Sequence, residues 1–559
     1  MLQPGTAPFF HRPLGVVLGT VLIASALSLP AVGRQAALTR NPQVTADQGM
    51  VASAHALASQ AGLDMLKAGG NAVDAAVAAA FAIGVVEPNA TGIGGEGMMV
   101  IYLDNGRTAV AIDYRSAAPA TATYPKGIPA TGHAAVAIPG TVAGLTRALA
   151  TYGTMKLPQV MAPAIRLAED GFIISPTLSG AIVDNFEEIA KNEPLAKVVC
   201  PTGLPLEAGG VLKNPDLAAS LRKIAAGGAD VFYRGELAES ITAEMAANGG
   251  FITKADLSSY RAVERTPVKG RYRGYDILSA PPPVGGVTVV ETLQILDHLD
   301  LEKHRHLSVG HVHLVAEALK RGFADYSAFV ADPDFVAVPV AGLLSPPYAR
   351  MRAAGIDSAR VSEKVTPGEP AKVESPSTTH LSTVDRWGNM VALTQTLSDF
   401  FGAKVLVSGT GITLNNEMKN FSARGVNAMA PGKRMRTTIS PTILARDGRA
   451  FATLGTPGAA RIISTMTLLV SNLVDYGMGI QEAIEAPRFY ARDTDKDLYV
   501  ESRIPADTLA ALTKLGYSIR TQGEFDLFFG GAQGIVIDPK TGRRVGGADP
   551  RRDGAVVGY

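Results

Sequence analysis

Two threonines that face each other across a predicted β-hairpin are the first candidates for chemistry in this sequence. Segments 378–384 and 390–397 are rich in threonine and aliphatic residues, and a short polar turn around Trp387 separates them. If the turn is centred on Trp387, Thr378 lies directly opposite Thr396, with Cβ atoms about 5 Å apart and hydroxyls within hydrogen-bonding reach. Threonine is also a good strand former, so the hairpin alone leaves both interpretations open.

Other patterns that suggest cofactor or metal chemistry are better explained by structure. Residues 92–97 match G-x-G-x-x-G, but a helical segment precedes them and a strand-like segment, 98–102, follows, which is the reverse of a dinucleotide-binding unit. The four histidines between 304 and 313 lack the carboxylates and spacing of zinc motifs, which favours a helix cap and surface. The single cysteine, Cys200, cannot form an internal disulfide and is expected to be a small buried hydrophobe. We therefore expect neither a metal nor an organic cofactor.

The composition predicts a globular protein with a large core. Of the 559 residues, 47% are hydrophobic and only 18% are charged, against roughly 25% charged in an average soluble domain. The 52 basic and 51 acidic side chains give a formal net charge of +1. Because no broad electrostatic field results, we expect neither a nucleic-acid partner nor a stable membrane partner.

The first 33 residues have the pattern of a secretory signal peptide. His11 and Arg12 precede the apolar run 14–29, and small residues at 31 and 33 offer a cleavage site after Gly33. The run is shorter than the roughly 20 residues that span a bilayer, so an uncleaved anchor is the weaker alternative. The pattern predicts a periplasmic or secreted protein.

The remaining chain divides into a helix-rich part and a strand-rich part. Residues 50–86 have apolar residues at helical spacing with a Gly-Gly-Asn interruption, which predicts two helices, and 150–260 alternates helices with turns. Segment 371–377 is polar, contains Pro376 and is predicted to be an exposed linker. After residue 378 the pattern changes to short alternating strands, which predicts antiparallel sheet.

Many ordered motifs, taken with the hairpin, resemble the gamma-glutamyltranspeptidase family of N-terminal-nucleophile hydrolases. The resemblance covers nearly everything after the signal. The matching stretches are 50–53, 69–76, 113–115, 263–267, 281–283, 332–335, 378–380, 414–416, 440–442, 455–458 and 486–489.

This resemblance implies an α+β fold, the four-layer αββα sandwich of N-terminal-nucleophile hydrolases. It also implies that the precursor cuts itself between Ser377 and Thr378. The products would be a large subunit, 34–377, and a small subunit, 378–559, which form one interlocked catalytic unit. The cut supplies a base, because the new α-amine of Thr378 has an ordinary pKa of about 7.7–8.0 and can accept the proton of its own hydroxyl.

The resemblance assigns further catalytic roles to three residues around Thr378. Thr396 would orient the nucleophilic hydroxyl, in agreement with the hairpin register. The backbone amides of Gly458 and Ala459 would form the oxyanion hole, where preorganised donors stabilise the tetrahedral intermediate. The family usually has glycine at the second position, but alanine keeps the backbone donor. His380 is then expected to be structural.

Six side chains are implied to bind the substrate: Arg115, Ser398, Glu417, Asn420, Thr437 and Thr438. Arg115 would bind the α-carboxylate of a glutamyl group, a task suited to its planar donors. Thr437 and Thr438 replace a serine pair that binds the same carboxylate. Glu417 would help to hold the α-amino group.

Three further residues depart from the family pattern. Asn420 stands where an aspartate usually faces the substrate ammonium, a change worth about 1.5–3 kcal/mol if the charge-assisted bond is lost, although Glu417 could compensate. Ser398 stands where asparagine is common. Glu96 interrupts a glycine run that is usually uninterrupted.

The sequence therefore predicts a self-processing gamma-glutamyltransferase that cleaves gamma-glutamyl amides, with glutathione as the reference substrate and water or an amino-acid or peptide as acceptor. One alternative keeps the fold but changes the acyl group, as in cephalosporin-acylase-like or oxamate-amidohydrolase-like relatives. Another is a non-catalytic exported binding protein that never cleaves itself.

Overall fold

The computed structural model describes residues 39–367 and 378–559. The predicted signal peptide, 1–33, and Ser377 lie outside the described residues. The strands are β1 Val44–Ala46, β2 Met50–Ser53, β3 Glu96–Leu103, β4 Thr108–Tyr114, β5 Phe172–Ile173, β6 Val211–Leu212, β7 Val263–Arg265, β8 Val268–Tyr272, β9 Tyr275–Ser279, β10 Thr379–Val384, β11 Met390–Thr396, β12 Leu406–Val407, β13 Ile412–Thr413, β14 Thr442–Arg446, β15 Arg449–Gly455, β16 Phe489–Ala491, β17 Asp497–Glu501, β18 Ser518–Gln522, β19 Gln533–Ile537, β20 Arg544–Ala548 and β21 Ala555–Gly558.

Helices are concentrated before residue 360. They are α1 Ala56–Lys67, α2 Ala72–Val86, α3 Thr141–Tyr152, α4 Leu157–Asp170, α5 Pro176–Asp184, α6 Phe186–Ile189, α7 Glu193–Val199, α8 Pro215–Gly227, α9 Ala229–Tyr233, α10 Glu236–Ala247, α11 Lys254–Ser259, α12 Gly286–Asp297, α13 Val309–Phe329, α14 Val340–Leu343, α15 Pro346–Ala354, α16 Arg461–Val474, α17 Ile480–Glu485 and α18 Ala506–Leu515. Across residues 39–367 and 378–559, none of them combines the length and apolarity needed to cross a bilayer.

Two seven-stranded antiparallel sheets form the centre of the molecule. The first has the order β21-β2-β10-β11-β3-β4-β7 and the second β1-β20-β19-β15-β14-β9-β8. In the first sheet, β10 pairs with β2, and β11 pairs with β3. Strands from both sides of residue 378 therefore alternate within one sheet, so a cut before Thr378 would leave the two pieces joined by backbone hydrogen bonds.

Helices cover the outer face of each sheet, which confirms the four-layer αββα architecture. Helix α2 packs on β10 and β11, whereas α12 packs on β8 and β9, and β10 and β11 contact β15 of the other sheet. Asn71 begins α2 with a capping box, in which its side chain accepts from the amides of Val73 and Asp74. The capping box fixes the residue at which α2 begins. The small side chains of this Ala-rich, almost fully buried helix allow it to pack closely on the sheet.

The prediction of two helices over 50–86 is correct for α1 and α2 but wrong for the first four residues. Met50–Ser53 form β2, a fully buried strand. Its hydrogen bonds go to β10 and β21, partners that lie hundreds of residues away in sequence. Long-range pairing thus overrides the local helical pattern.

The hairpin register agrees with the sequence prediction. Thr379 pairs with Gln395 and Val384 with Met390, symmetrically about Trp387. Asp385 closes the turn by accepting from the amides of Trp387, at 2.9 Å, and Asn389, at 3.0 Å. Every residue of β10 and β11 is buried, so a register slip would expose apolar side chains or misplace polar ones.

His380 links the two sheets through a buried polar contact. Its Nδ1 lies 2.9 Å from Thr394 Oγ1 and its Nε2 lies 3.1 Å from Ser382 Oγ, and Ser382 donates across the interface to the carbonyl of Thr453. The ring packs so closely on Gly455 that a Cβ there would lie 2.2 Å from ring atoms. Burial lowers the pKa of His380 to about 3, so the ring is neutral near pH 7 and serves as a structural bridge.

This shift predicts acid lability. Below pH 6.5 the unfolded chain binds a proton at residue 380 that the folded chain refuses, so the free energy of unfolding falls as the pH drops from about 6.5 toward 3, by about 1.4 kcal/mol per pH unit. Between pH 6 and 4.5 we expect His380→Gln to reduce that slope by about 1.4 kcal/mol per pH unit, which is the contribution of one proton. The measurement is urea unfolding across this range on a Thr378→Ala background, with the exposed His298→Gln as control. Equal slopes in both variants would contradict the assignment.

Candidate functional site

Thr378 lies immediately before β10, at the point where the hairpin ends. Continuing the observed register by one residue places it opposite Thr396, the last residue of β11. The side chains of both threonines are buried. Thr396 Oγ1 accepts a hydrogen bond from the amide of Ser398 at 2.8 Å, which restrains its side-chain rotamer. The orienting role of Thr396 stays a prediction.

A buried arginine and a buried glutamate that sequence reasoning missed bind the first residues after the predicted cut. Arg552 donates from Nη1 to the carbonyl oxygen of Thr378 at 2.9 Å. Glu87, whose charge faces Arg552, accepts from Thr379 Oγ1 at 2.6 Å. Burial raises the pKa of Glu87, and Arg552 opposes that rise. Arg552 thus holds the main chain of Thr378, and Glu87 holds the side chain of Thr379.

The predicted oxyanion loop connects β15 to α16. Gly458 has φ +130° and Ala459 has φ +53°, so alanine occupies a left-handed conformation that favours glycine. The carbonyls of these two residues accept from the amides of Arg461 and Ile462 and so begin α16. The loop therefore lies at the amino-terminal end of a 14-residue helix, where the helix dipole favours negative charge.

Arg115 is fully buried between two carboxylates. Its Nη1 contacts the Glu96 carboxylate, and its Nη2 lies 3.3 Å from Glu417 Oε2 and 3.4 Å from the carbonyl oxygen of Met435. Glu96 also accepts from the amide of Ser116 at 2.7 Å. Burial lowers the pKa of Arg115, and the charge of Glu417 opposes this shift.

Asn420 joins Glu417 to Ser398. Its Nδ2 donates to Glu417 Oε2 at 2.7 Å and to Ser398 Oγ at 3.0 Å. A carboxylate and an amide thus lie together where the family pattern implies recognition of an amino group. Glu417 in turn contacts Arg115, and the amide of Ser398 donates to Thr396. A continuous chain of contacts therefore runs from Thr396 through Ser398, Asn420 and Glu417 to Arg115.

Thr437 and Thr438 differ in what they can offer a substrate. Thr438 donates its hydroxyl proton to the carbonyl oxygen of Ala459 at 2.7 Å, which ties it to the oxyanion loop. Within the part of the chain that the structure describes, Thr437 Oγ1 is buried and has no hydrogen-bond partner. Thr437 is therefore the one of the two whose hydroxyl can donate to a carboxylate.

The other sequence-level candidates remain outside the site. Residues 92–97 precede and begin β3, after α2, in the order expected for a tight turn and not for a dinucleotide unit. His311 and His313 belong to α13 as predicted, but they are buried and not on the surface, and His313 bonds Tyr517 and the carbonyl of Asp357. Cys200 is buried, as predicted. Among residues 39–367 and 378–559, no cluster of side chains suits a metal ion.

Comparison with known proteins gives one consistent family. The family model described as Gamma-glutamyltranspeptidase matches residues 58–559. The chain is 43% identical over 543 residues to a glutathione hydrolase proenzyme of Escherichia coli strain K12, covering 92% of this chain and 93% of that protein.

Acylases of the same fold are similarly close. The chain is 42% identical over 529 residues to the acylase ACY 1 proenzyme of Pseudomonas sp. strain SE83, covering 91% of this chain and 93% of that protein. A cephalosporin acylase structure from Bacillus halodurans superimposes with a TM-score of 0.87 at 33% identity, covering 94% of this chain and 99% of that one. The extent of these matches, together with the geometry around Thr378, shows that the chain belongs to the gamma-glutamyltranspeptidase family.

Proposed function

We propose that this protein is a self-processing amide hydrolase and acyltransferase that cleaves gamma-glutamyl amides, with glutathione as the reference substrate. The observation that carries the proposal is the position of Thr378. It immediately precedes β10, a buried central strand, and its carbonyl is held by Arg552. Continuing the hairpin register by one residue sets it opposite Thr396. The name glutathione hydrolase proenzyme, borne by a relative at 43% identity, supports the same substrate class.

Processing would activate the nucleophile. Cleavage between Ser377 and Thr378 yields a large subunit, 34–377, and a small subunit, 378–559, and frees the α-amine of Thr378. With an ordinary pKa of about 7.7–8.0, this amine is partly neutral near pH 7.5 and can take the proton of the Thr378 hydroxyl. Thr396 orients that hydroxyl.

The acyl-transfer cycle then has two halves. Thr378 Oγ1 attacks the amide carbonyl, the amides of Gly458 and Ala459 stabilise the oxyanion, and the protonated leaving amine departs. Water, or the amine of an amino acid or peptide, attacks the resulting ester in the second half and regenerates Thr378.

Export to the periplasm or outside the cell belongs to the same proposal. It rests on the sequence pattern of residues 1–33. Intact-mass analysis of the mature large subunit tests this part of the proposal, because removal of residues 1–33 leaves a chain that begins at residue 34.

An acylase that acts on another acyl group is the second candidate. The neutral Asn420 favours it, because an amide replaces the carboxylate expected against the substrate ammonium, and an acylase proenzyme is 42% identical. Both candidate functions use Thr378 as the nucleophile. They differ in the acyl group that Arg115 and Glu417 would bind.

Removal of the nucleophile tests the shared chemistry. We expect Thr378→Ala to remain one uncut chain without amidase activity, and Thr378→Ser, which keeps a hydroxyl, to cut itself and retain measurable activity. Intact-mass analysis after incubation measures both outcomes and gives the subunit boundaries. A Thr378→Ala protein that is cleaved and active would refute the proposal, as would an intact but active wild type.

Relief of strain tests the oxyanion loop. At φ +53° alanine costs about 1–2 kcal/mol relative to glycine, so Ala459→Gly is expected to be more stable than the matched Ala460→Gly by about that amount. Both residues are buried, and Ala460 has φ −48°. Each variant loses one buried methyl group and gains the same entropy in the unfolded chain, so these two effects largely cancel when the variants are compared.

The same variant tests the role of the backbone donor. Ala459→Gly keeps the amide at residue 459, so kcat is expected to stay within about threefold of wild type, since an oxyanion hole uses the backbone N–H and not the methyl group. Urea unfolding on the Thr378→Ala background and steady-state kinetics on the processed enzyme measure the two effects. A gain for Ala460→Gly as large as for Ala459→Gly would contradict the strain argument.

A substrate panel separates the two candidate functions. A gamma-glutamyl anilide, a glutaryl amide and oxamate differ in what they present to the acyl pocket. We expect the gamma-glutamyl anilide to have the highest kcat/KM, because Glu417 can still accept a hydrogen bond from its ammonium group. Faster cleavage of the glutaryl amide or of oxamate would favour the acylase candidate.

A further inference from the structure

Glu96 belongs to the buried cluster of Arg115, Glu417 and Asn420, which we call the acyl pocket. It is the first residue of β3, pairs across the sheet with Thr396, and directs its carboxylate to Arg115. Both side chains are fully buried. The register of β3 with β11 therefore places an internal carboxylate on the guanidinium that the family pattern assigns to the substrate.

We propose that Glu96 determines acyl specificity by taking the place of the substrate's α-carboxylate on Arg115, so that the pocket selects acyl chains by their amino group. This inference rests on the proposed amide hydrolysis and specifies which end of the acyl group the enzyme recognises. Glu96 is a specificity-determining residue in this scheme, since it acts through Arg115.

The charges of the pocket support this assignment. One guanidinium, Arg115, faces two carboxylates, Glu96 and Glu417, and Asn420 adds no charge. The cluster thus has an excess of negative charge before any substrate enters. A substrate carboxylate would have to lie beside Glu96, which already contacts the guanidinium, and two adjacent buried anions are costly, whereas an ammonium group would balance the excess.

The hydrogen-bonding atoms that have no partner also favour an ammonium group over a carboxylate. Among the described residues, Glu417 Oε1 is buried without a hydrogen-bond partner, and it offers an acceptor to an ammonium group. On the donor side, Nη2 of Arg115 already faces Glu417 and Met435, and Thr438 donates to Ala459. Nη1 of Arg115 contacts the Glu96 carboxylate, so a substrate carboxylate would have to compete with Glu96 for this group. The buried donors without a hydrogen-bond partner in the described chain include Arg115 Nη1 and Nε, Ser116 Oγ and Thr437 Oγ1.

The preferred substrates would therefore be amides of short ω-amino acyl groups. A gamma-glutamyl amide satisfies this requirement through its α-amino group, and its α-carboxylate contributes little. A 4-aminobutyryl amide, which keeps the amine and lacks the carboxylate, would be nearly as good. A glutaryl amide, which keeps the carboxylate and lacks the amine, would be poor.

Three p-nitroanilides that differ only in these two groups test the inference on the processed enzyme: gamma-glutamyl, 4-aminobutyryl and glutaryl. For wild type we expect kcat/KM for the 4-aminobutyryl compound to lie within about threefold of the gamma-glutamyl compound, and the glutaryl compound to be at least about tenfold worse, as for loss of a charged hydrogen bond. In Glu96→Gln, which frees the charge of Arg115, the preference for gamma-glutamyl over 4-aminobutyryl should rise at least about tenfold, through KM.

Controls keep the outcomes distinct. Processing into two subunits is checked first for each variant, and Glu96→Gly, which removes the side chain, serves as a second variant with the same expected direction. Glu264→Gln removes an exposed carboxylate on β7 and should leave all three ratios unchanged.

Two results would overturn the inference. The first is a wild type that prefers gamma-glutamyl over 4-aminobutyryl by about tenfold or more, the size of one charged hydrogen bond. The second is a ratio that neither Glu96 variant moves. In both cases the enzyme still cleaves an anilide, so the proposed function survives. If the processed wild type cleaves none of the three anilides, the proposed function fails and this inference fails with it.

Discussion

The pairing of β10 with β11 in the middle of a seven-stranded sheet is the constraint on which the site depends. Because side chains alternate along a strand, a slip of one residue would reverse every side chain of β10. The register is fixed by burial on both faces and by the turn that Asp385 closes. Thr378, at the start of this strand, therefore has its main-chain direction determined by the whole sheet and not by local loops.

The same sheet shows how a chain cut before Thr378, as proposed, would keep its structure. β10 is hydrogen-bonded on one side to β2, from the first part of the chain, and on the other to β11, from the second. The last strand, β21, pairs with β2 as well, and Arg552, just before it, reaches the carbonyl of Thr378. The proposed cleavage at this point would free one end of a strand whose other contacts remain, so the new terminus would stay in place.

The sequence allowed the hairpin to be predicted in register because its information is local. A turn centred on Trp387 and two threonine-rich flanks were sufficient, and the resemblance to a family supplied the layers around them. Residues 50–53 were assigned to a helix because an Ala-rich run has a helical pattern, and nothing nearby indicates β10 or β21 as partners. The contacts of Arg115 with Glu96 and of Arg552 with Thr378 were not predicted, since a charged residue alone does not identify which distant carboxylate or carbonyl it will meet.

Glu96 and Asn420 are physically linked, because both contact the group formed by Arg115 and Glu417. A buried guanidinium tolerates nearby carboxylates only as far as its charge and donors can satisfy them. In the usual family pattern, with glycine at position 96 and an aspartate at position 420, Arg115 would share the pocket with two carboxylates, that aspartate and Glu417. With Glu96 present, an aspartate at position 420 would be a third carboxylate, and it would lie against Glu417 where Asn420 now donates a 2.7 Å hydrogen bond.

The amide of Asn420 therefore keeps the number of anions at two and supplies the donor that Glu417 needs. The two departures from the family pattern are one change in physical terms. Relative to the pattern that the family resemblance implies, a carboxylate is absent at position 420 and one is present at position 96. Because each substitution alone would leave Arg115 with one carboxylate too many or too few, we expect the pair to be tolerated together better than either is tolerated singly.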